Sequence, residues 1–107
     1  MAIRMEKPWR SLPAAKDLPG QLGVFQLADA DGCVLYVGYA GGRSKFGLRS
    51  AVVDACNEVT NASQFRVEIT TAYLTRYREL LMAHVADHGE LPVANSPEPR
   101  LGRLGPG

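Results

Sequence analysis

A glycine-rich loop with cationic side chains is the segment of this sequence best suited to hold a phosphate group. Residues 39–47 contain three glycines together with Arg43 and Lys45, and Arg49 follows at the start of a helical pattern. Glycine lets backbone N–H groups approach a ligand closely, and such groups beside cations can hold an anion. A cation in the first turn opposes the helix dipole, so binding a phosphate oxygen would give Arg49 a reason to be there. The alternatives are a solvated turn and an exposed arginine.

A second set of polar side chains falls on a predicted helix nearer the C-terminus. Arg76 and Glu79 stand one turn apart, a spacing that is typical of a solvent-facing ion pair. His84 and His88 are spaced i, i+4, which can chelate a metal ion. Because no Glu lies between them in a His-Glu-x-x-His pattern, we do not expect a metal site at these histidines.

The elements that position these residues begin with a β-hairpin. Two runs rich in Val, Leu and aromatic residues, 22–28 and 33–38, flank an Asp/Gly turn at residues 29–32. With a four-residue loop, Phe25 would lie directly opposite Tyr36 and on the same face of the sheet. Both faces of these strands carry apolar residues, so we expect a helix on each side.

The rest of the chain predicts two helices and one more strand. Apolar residues recur at helical spacing over 46–59, alternate strictly over 64–71, and recur again over 72–88. On the last helix the predicted buried stripe consists of Leu74, Tyr77, Leu81 and Val85. The order is β-β-α-β-α, which indicates an α/β protein of the α+β type with a small three-stranded antiparallel sheet flanked by helices.

The two ends of the chain differ from this central domain, which we assign to residues 21–95. Residues 1–20 hold three prolines, which predicts an extended N-terminal arm. Trp9 either plugs an edge of the core or offers a stacking surface for a base. Residues 96–107, rich in Pro and Gly, are expected to be disordered.

Composition limits the functional classes. The hydrophobic fraction of 46% and the charged fraction of 21% are those of an ordinary globular domain. The net charge of +1 means that binding to nucleic acid would need a local basic patch. No apolar run approaches the ~20 residues that cross a bilayer, and no signal peptide is apparent. Cys33 and Cys56 lack zinc-site spacing. We therefore expect a cytoplasmic protein with no membrane partner.

In their order, the motifs resemble those of the GIY-YIG nuclease family. Gly23-Val24-Phe25 stands in the place of Gly-Ile-Tyr, and Tyr36-Val37-Gly38 stands in the place of Tyr-Ile-Gly. The similarity continues through Arg49, Glu79 and the closing pair Pro92 and Asn95. It covers residues 23–95, most of the chain.

The resemblance implies a metal-dependent endonuclease that hydrolyses phosphodiester bonds of DNA, with RNA not excluded. Glu79 would hold Mg²⁺ or Mn²⁺, Arg49 would contact the scissile phosphate, and Tyr36 would supply a hydroxyl near the attacking water. Arg43 and Lys45 would bind further phosphates. Residues that would support the site are Phe25, Gly38, Tyr39 and Asn95.

One departure from the family opens a second possibility. Phe25 replaces the first tyrosine of the motif, and a phenyl ring can neither donate nor accept a proton. Losing a proton-transfer group typically lowers the rate by a factor of about 10²–10⁴. The alternative is therefore a catalytically inactive GIY-YIG-like module that binds nucleic acid or a protein partner. The sequence does not determine the oligomeric state.

Overall fold

Four antiparallel strands and two α-helices appear in the computed structural model, which describes residues 5, 7–41 and 46–95. The strands are β1 Arg10–Ser11, β2 Gly23–Ala28, β3 Val34–Ala40 and β4 Gln64–Ile69, and the helices are α1 Gly47–Glu58 and α2 Tyr73–His88. The strands lie in the order β1-β4-β2-β3. The predicted α+β fold is confirmed, with the short edge strand β1 in addition to the three strands expected.

The N-terminal segment belongs to the core, and the prediction of an extended arm was wrong. After β1 the chain forms a 3₁₀ helix, Leu12–Asp17, with a proline in its first turn. Ala15 and Leu18 are each 2% exposed and pack with Phe25 and α1. A proline fits the first turn of a helix because its missing N–H would have no partner there. Proline density therefore did not require an extended chain.

Helices cover both faces of the sheet, as expected. On one face, α1 and the 3₁₀ helix pack on Phe25, Leu27 and Phe65, with Leu48 and Val52 fully buried. On the other face, α2 packs on Val24 and Val37. Within the described residues, no helix has the length and apolar character needed to span a bilayer.

The buried face of α2 matches the stripe that periodicity predicted only in part. Tyr77 and Leu81 are half-buried and pack against the core. Leu80 and Ala83 are buried, whereas Leu74 is 44% exposed and Val85 is 40% exposed. Helix α2 packs mainly on β3 and β2, and in this orientation Arg76 pairs with Glu68 of β4.

The register of the β2–β3 hairpin also differs from the prediction. Leu27, not Phe25, is opposite Tyr36, and Phe25 is opposite Gly38. A bulge at Leu27/Ala28 shifts the strands, while Asp29 Oδ1 accepts hydrogen bonds from the turn N–H groups of Asp31 and Cys33. Phe25 and Tyr36 still share a face and meet diagonally, with their ring centroids 5.9 Å apart.

Candidate functional site

One end of the sheet gathers the starts of both helices. Gly23 begins β2 there, beside Ala40 at the end of β3, and α1 starts close by at Gly47. Gly47 has a φ of +59°, and a Cβ atom at this position would lie 2.5 Å from the Gly20 carbonyl carbon. Leu48 N donates to Gln21 O at 2.8 Å, which ties α1 to the start of β2. Only glycine at residue 47 permits this approach.

Arg49 lies at this end, in the first turn of α1. Its guanidinium carbon is 5.3 Å from the centroid of the Phe46 ring, and both side chains are exposed. Neither α1 nor α2 has a side-chain hydrogen bond at its N-cap or an acidic residue in its first turn. Each helix start therefore presents a positive dipole end that no carboxylate of its own first turn offsets. Arg43 and Lys45 lie outside the described residues.

A tyrosine cluster stands on the other side of the same strand end. Tyr39 stacks on Tyr73 with a centroid distance of 5.7 Å and meets Tyr77 edge-on at 4.9 Å. Tyr39 is nonetheless 43% exposed. Burial raises the pKa of the Tyr77 phenol. Sequence reasoning did not single out Tyr73, although its i, i+4 spacing to Tyr77 was the available signal.

Tyr36 lies on the α1 side of the sheet, packed against Phe25. Both rings pack over Gly38, where a Cβ atom would lie 2.5 Å from Phe25 Cζ and 2.8 Å from Tyr36 Cε2. Burial raises the pKa of the Tyr36 phenol, and the negative charge of Glu58 adds to this effect. The Tyr36 hydroxyl is therefore harder to ionise than that of a solvated tyrosine.

Glu79 belongs to an ion-pair group on α2. Its Oε1 accepts from Arg76 Nη1 at 3.2 Å, and Arg76 also donates from Nε and Nη2 to the two carboxylate oxygens of Glu68, at 2.8 and 3.2 Å. Tyr36 packs against Phe25 on the α1 side of the sheet, although its phenol interacts electrostatically with Tyr77 of α2. In the described part of the chain, no hydrogen bond or ion pair links Tyr36, Arg49 and Glu79.

This arrangement does not suit a firmly held metal ion at Glu79. The Arg76 guanidinium bonds to one of the two carboxylate oxygens of Glu79, and its positive charge repels a cation. Nowhere in residues 5, 7–41 and 46–95 do three His, Cys, Asp or Glu side chains form a group that could hold a metal. The rings of His84 and His88 are adjacent, with their centroids 4.3 Å apart.

The Asn95 side chain bonds to both backbone groups of Val37, the middle residue of the Tyr36-Val37-Gly38 motif. Its Oδ1 accepts from Val37 N and its Nδ2 donates to Val37 O, each at 2.9 Å. Ala94 N donates to Leu35 O at 2.9 Å, and Pro92 is buried. The Asn95 amide thus takes the place of a peptide group in a neighbouring strand and fixes the outer edge of β3.

Comparison with known proteins identifies a family for this chain. No curated protein and no solved structure matches the chain. A family model described as a domain of unknown function, DUF7508, matches residues 3–87. That range contains all four strands and α1, and it ends in the last turn of α2. Because the match covers well over half of its length, the chain belongs to the DUF7508 family.

Proposed function

We propose that this protein is a catalytically silent GIY-YIG-like module that binds single-stranded DNA at the sheet end described above. The observation that carries the proposal is the exposed ring of Tyr39, held by Tyr73 and Tyr77. Residues 42–45 connect the end of β3 to Phe46 and Arg49, so the ring and the cation are joined by a short segment.

The binding mode follows from these groups. A base stacks on Tyr39, which its two neighbours hold in place, and each such contact contributes about 1–3 kcal/mol. The backbone phosphate then contacts Arg49 and the start of α1. This helix start has no side-chain cap, and its dipole favours an anion. Since the net charge is only +1, the affinity depends on this local arrangement.

Two features favour binding without cleavage. Phe25 is 2% exposed and has no hydroxyl, so it cannot exchange a proton with an attacking water. Glu79 is engaged by Arg76 on the face of the sheet away from Tyr36. The two free cysteines support a cytoplasmic location for such a module.

Fluorescence anisotropy with a labelled oligodeoxythymidine tests the proposal. We expect Tyr39→Ala to weaken binding by a factor of about 5–100, because one stacked base is lost. Tyr39→Phe keeps the ring and should bind within about threefold of the wild type. Arg49→Gln should lower the salt dependence by roughly one phosphate contact.

Arg78→Gln is the matched control for charge, because Arg78 is an exposed cation further along α2. It should leave the affinity and its salt dependence close to those of the wild type. If Tyr39→Ala binds as tightly as the wild type, the stacking surface is not used and the proposal fails. A parallel titration with oligouridine decides whether RNA is preferred to DNA.

The metal-dependent endonuclease is the second candidate, and one observation favours it. The Asn95 amide fixes the Tyr36-Val37-Gly38 segment, in the position that the family resemblance gives to a supporting asparagine. Supercoiled plasmid incubated with Mg²⁺ or Mn²⁺ is the test. Nicking by the wild type that Glu79→Ala and Arg49→Ala both abolish would establish the enzyme and refute the silent module.

Phe25→Tyr adds a further arm to that assay. A gain of nicking in this variant would show that the lost hydroxyl alone silences the site. Equal background nicking in all of these proteins would leave binding as the function.

A further inference from the structure

A cavity of about 160 Å³ lies between α2 and the sheet, away from the tyrosine cluster. Its polar walls come from β2, β4 and the last two turns of α2, and they include Gln26, Arg66, His84 and His88. Since a water molecule takes about 30 Å³, the cavity has room for a group of roughly five non-hydrogen atoms. A nucleotide is far too large for it.

Gln26 presents an unpaired donor to this cavity. The residue is 6% exposed, and its Oε1 accepts from Arg66 Nε at 2.7 Å. That bond fixes the orientation of the amide, so Nε2 is the atom left over. Among the described residues, this Nε2 has no hydrogen-bond partner. A buried donor without an acceptor costs about 1–3 kcal/mol, which a bound acceptor would recover.

Arg66 brings a positive charge that pairs with no carboxylate in the part of the chain that the structure describes. Its guanidinium carbon lies 4.2 Å from the centroid of the half-buried Trp9 ring, and Nη1 makes one long bond of 3.4 Å to Lys7 O. Burial lowers the pKa of Arg66. A partly buried cation without a counter-ion is unfavourable, and an anion nearby would compensate it.

The α2 wall completes the set of donors. His84 and His88 both border the cavity, and an imidazole N–H can donate to an anion in either protonation state. Asp87 also borders it and is the one acidic residue among the described residues of its lining, but it is exposed and has an interaction partner of its own. The Gln26 amide and the Arg66 guanidinium therefore make the inner part of the cavity favourable for an anion.

We propose that this cavity is a binding site for a small oxyanion, a carboxylate or a phosphate, held by Gln26 Nε2 and the Arg66 guanidinium with His84 and His88 at its α2 wall. The site is separate from the proposed DNA surface, and neither depends on the other.

Titrating the full chain with inorganic phosphate and, separately, with acetate tests the proposal. The two imidazole rings are followed by NMR at constant ionic strength. We expect saturable shifts of the His84 and His88 signals with a Kd in the millimolar range. In the free protein, burial and the neighbouring His88 lower the pKa of His84, while Asp87 and Glu90 oppose this. A bound anion favours the protonated imidazole, so the pKa of His84 should rise.

Two variants of Gln26 make the test specific. Gln26→Glu keeps the shape but puts a carboxylate beside Arg66, and Gln26→Leu removes the donor. Each should weaken the binding of the anion by a factor of about 10–100. Tyr39→Ala should leave it unchanged. The absence of saturable shifts in the wild type, or equal shifts in folded Gln26→Glu, would overturn the proposal. Phosphate and acetate used side by side identify which oxyanion fits.

Discussion

Replacing Gly38 by alanine gives the sharpest test of how the two family motifs pack. The added Cβ would lie 2.5 Å from Phe25 Cζ and 2.8 Å from Tyr36 Cε2, closer than real contacts allow. Phe25 cannot move aside because it is 2% exposed and packed in the α1-side core. Alanine in a strand interior would otherwise gain roughly 0.5–1 kcal/mol over glycine. Overpacking costs about 1–3 kcal/mol or more, so we expect net destabilisation of roughly 1–2 kcal/mol.

Urea unfolding followed by circular dichroism measures this change, and a thermal scan checks it. For a domain of this size, 1 kcal/mol corresponds to a fall in Tm of about 4–8 °C. The cause is isolated by Phe25→Leu, which removes the ring edge that the new methyl group meets. In that background, Gly38→Ala should cost at least about 1 kcal/mol less than in the wild type.

Gly32→Ala is the matched control for a glycine substitution. Gly32 has a φ of +89° and no neighbouring atom within 4 Å of an added Cβ, so its replacement costs backbone strain but no packing. Its effect should add to that of Phe25→Leu without coupling. If Gly38→Ala is neutral, or if its cost is the same in both backgrounds, the two rings do not pack over Gly38 and the description of this site is wrong.

Three further outcomes are expected. Asn95→Ala should lower the free energy of unfolding by about 1–2 kcal/mol in urea, because two hydrogen bonds to β3 are lost. Arg76→Met should cost about 1–3 kcal/mol, since it leaves a partly buried carboxylate unpaired, whereas Glu79→Gln should change stability by less than about 0.5 kcal/mol. Burial raises the pKa values of Tyr36 and Tyr77 above 10.0, so the unfolded chain loses these protons first. Stability should therefore fall as the pH rises above about 10, which alkaline denaturation measures.

Each outcome has a result that contradicts it. Val93, 82% exposed, supplies the control for Asn95, and Val93→Ala should be nearly neutral. Equal losses in the two variants would mean that the Asn95 bonds contribute nothing. If Glu79→Gln lowers the free energy of unfolding as much as Arg76→Met, the stabilising partner of Arg76 is Glu79 and not Glu68, which contradicts the prediction. If an ultraviolet absorbance titration shows that neither Tyr36 nor Tyr77 has a pKa above 10.0, the burial of these two phenols is refuted.

Local spacing predicted the elements of this fold because each element buries a regular row of side chains. Leu48 and Val52 recur on one face of α1 and are fully buried. The spacing of apolar residues along α2 did not predict which face of this helix is buried in the same way. The helix packs on β3 and β2 while Arg76 pairs with Glu68 of β4, and Leu80 and Ala83 lie inward in place of Leu74 and Val85. That pairing joins two elements, so no pattern within α2 contains it.

At the candidate site, too, the sequence predicted some features and missed others. The resemblance gave Asn95 a supporting role, and the structure shows its amide bonded to β3. The hairpin register was missed because the bulge at Leu27/Ala28 moves one strand against the other, which spacing along the chain does not reveal. The direction of the Glu79 carboxylate depends on Arg76, and a motif position alone does not specify it.

The two hydrogen bonds between the Asn95 side chain and Val37 have a consequence for how this domain should be produced. β3 is the last strand of the sheet, and an open strand of this kind is a template for pairing with another chain. The hydrogen bonds from Ala94 and Asn95 satisfy backbone groups of Leu35 and Val37 along this open edge. A fragment ending at residue 87, where the family match stops, would keep all four strands but uncover this one. We expect such a truncation to self-associate, and a boundary beyond residue 95 to prevent it.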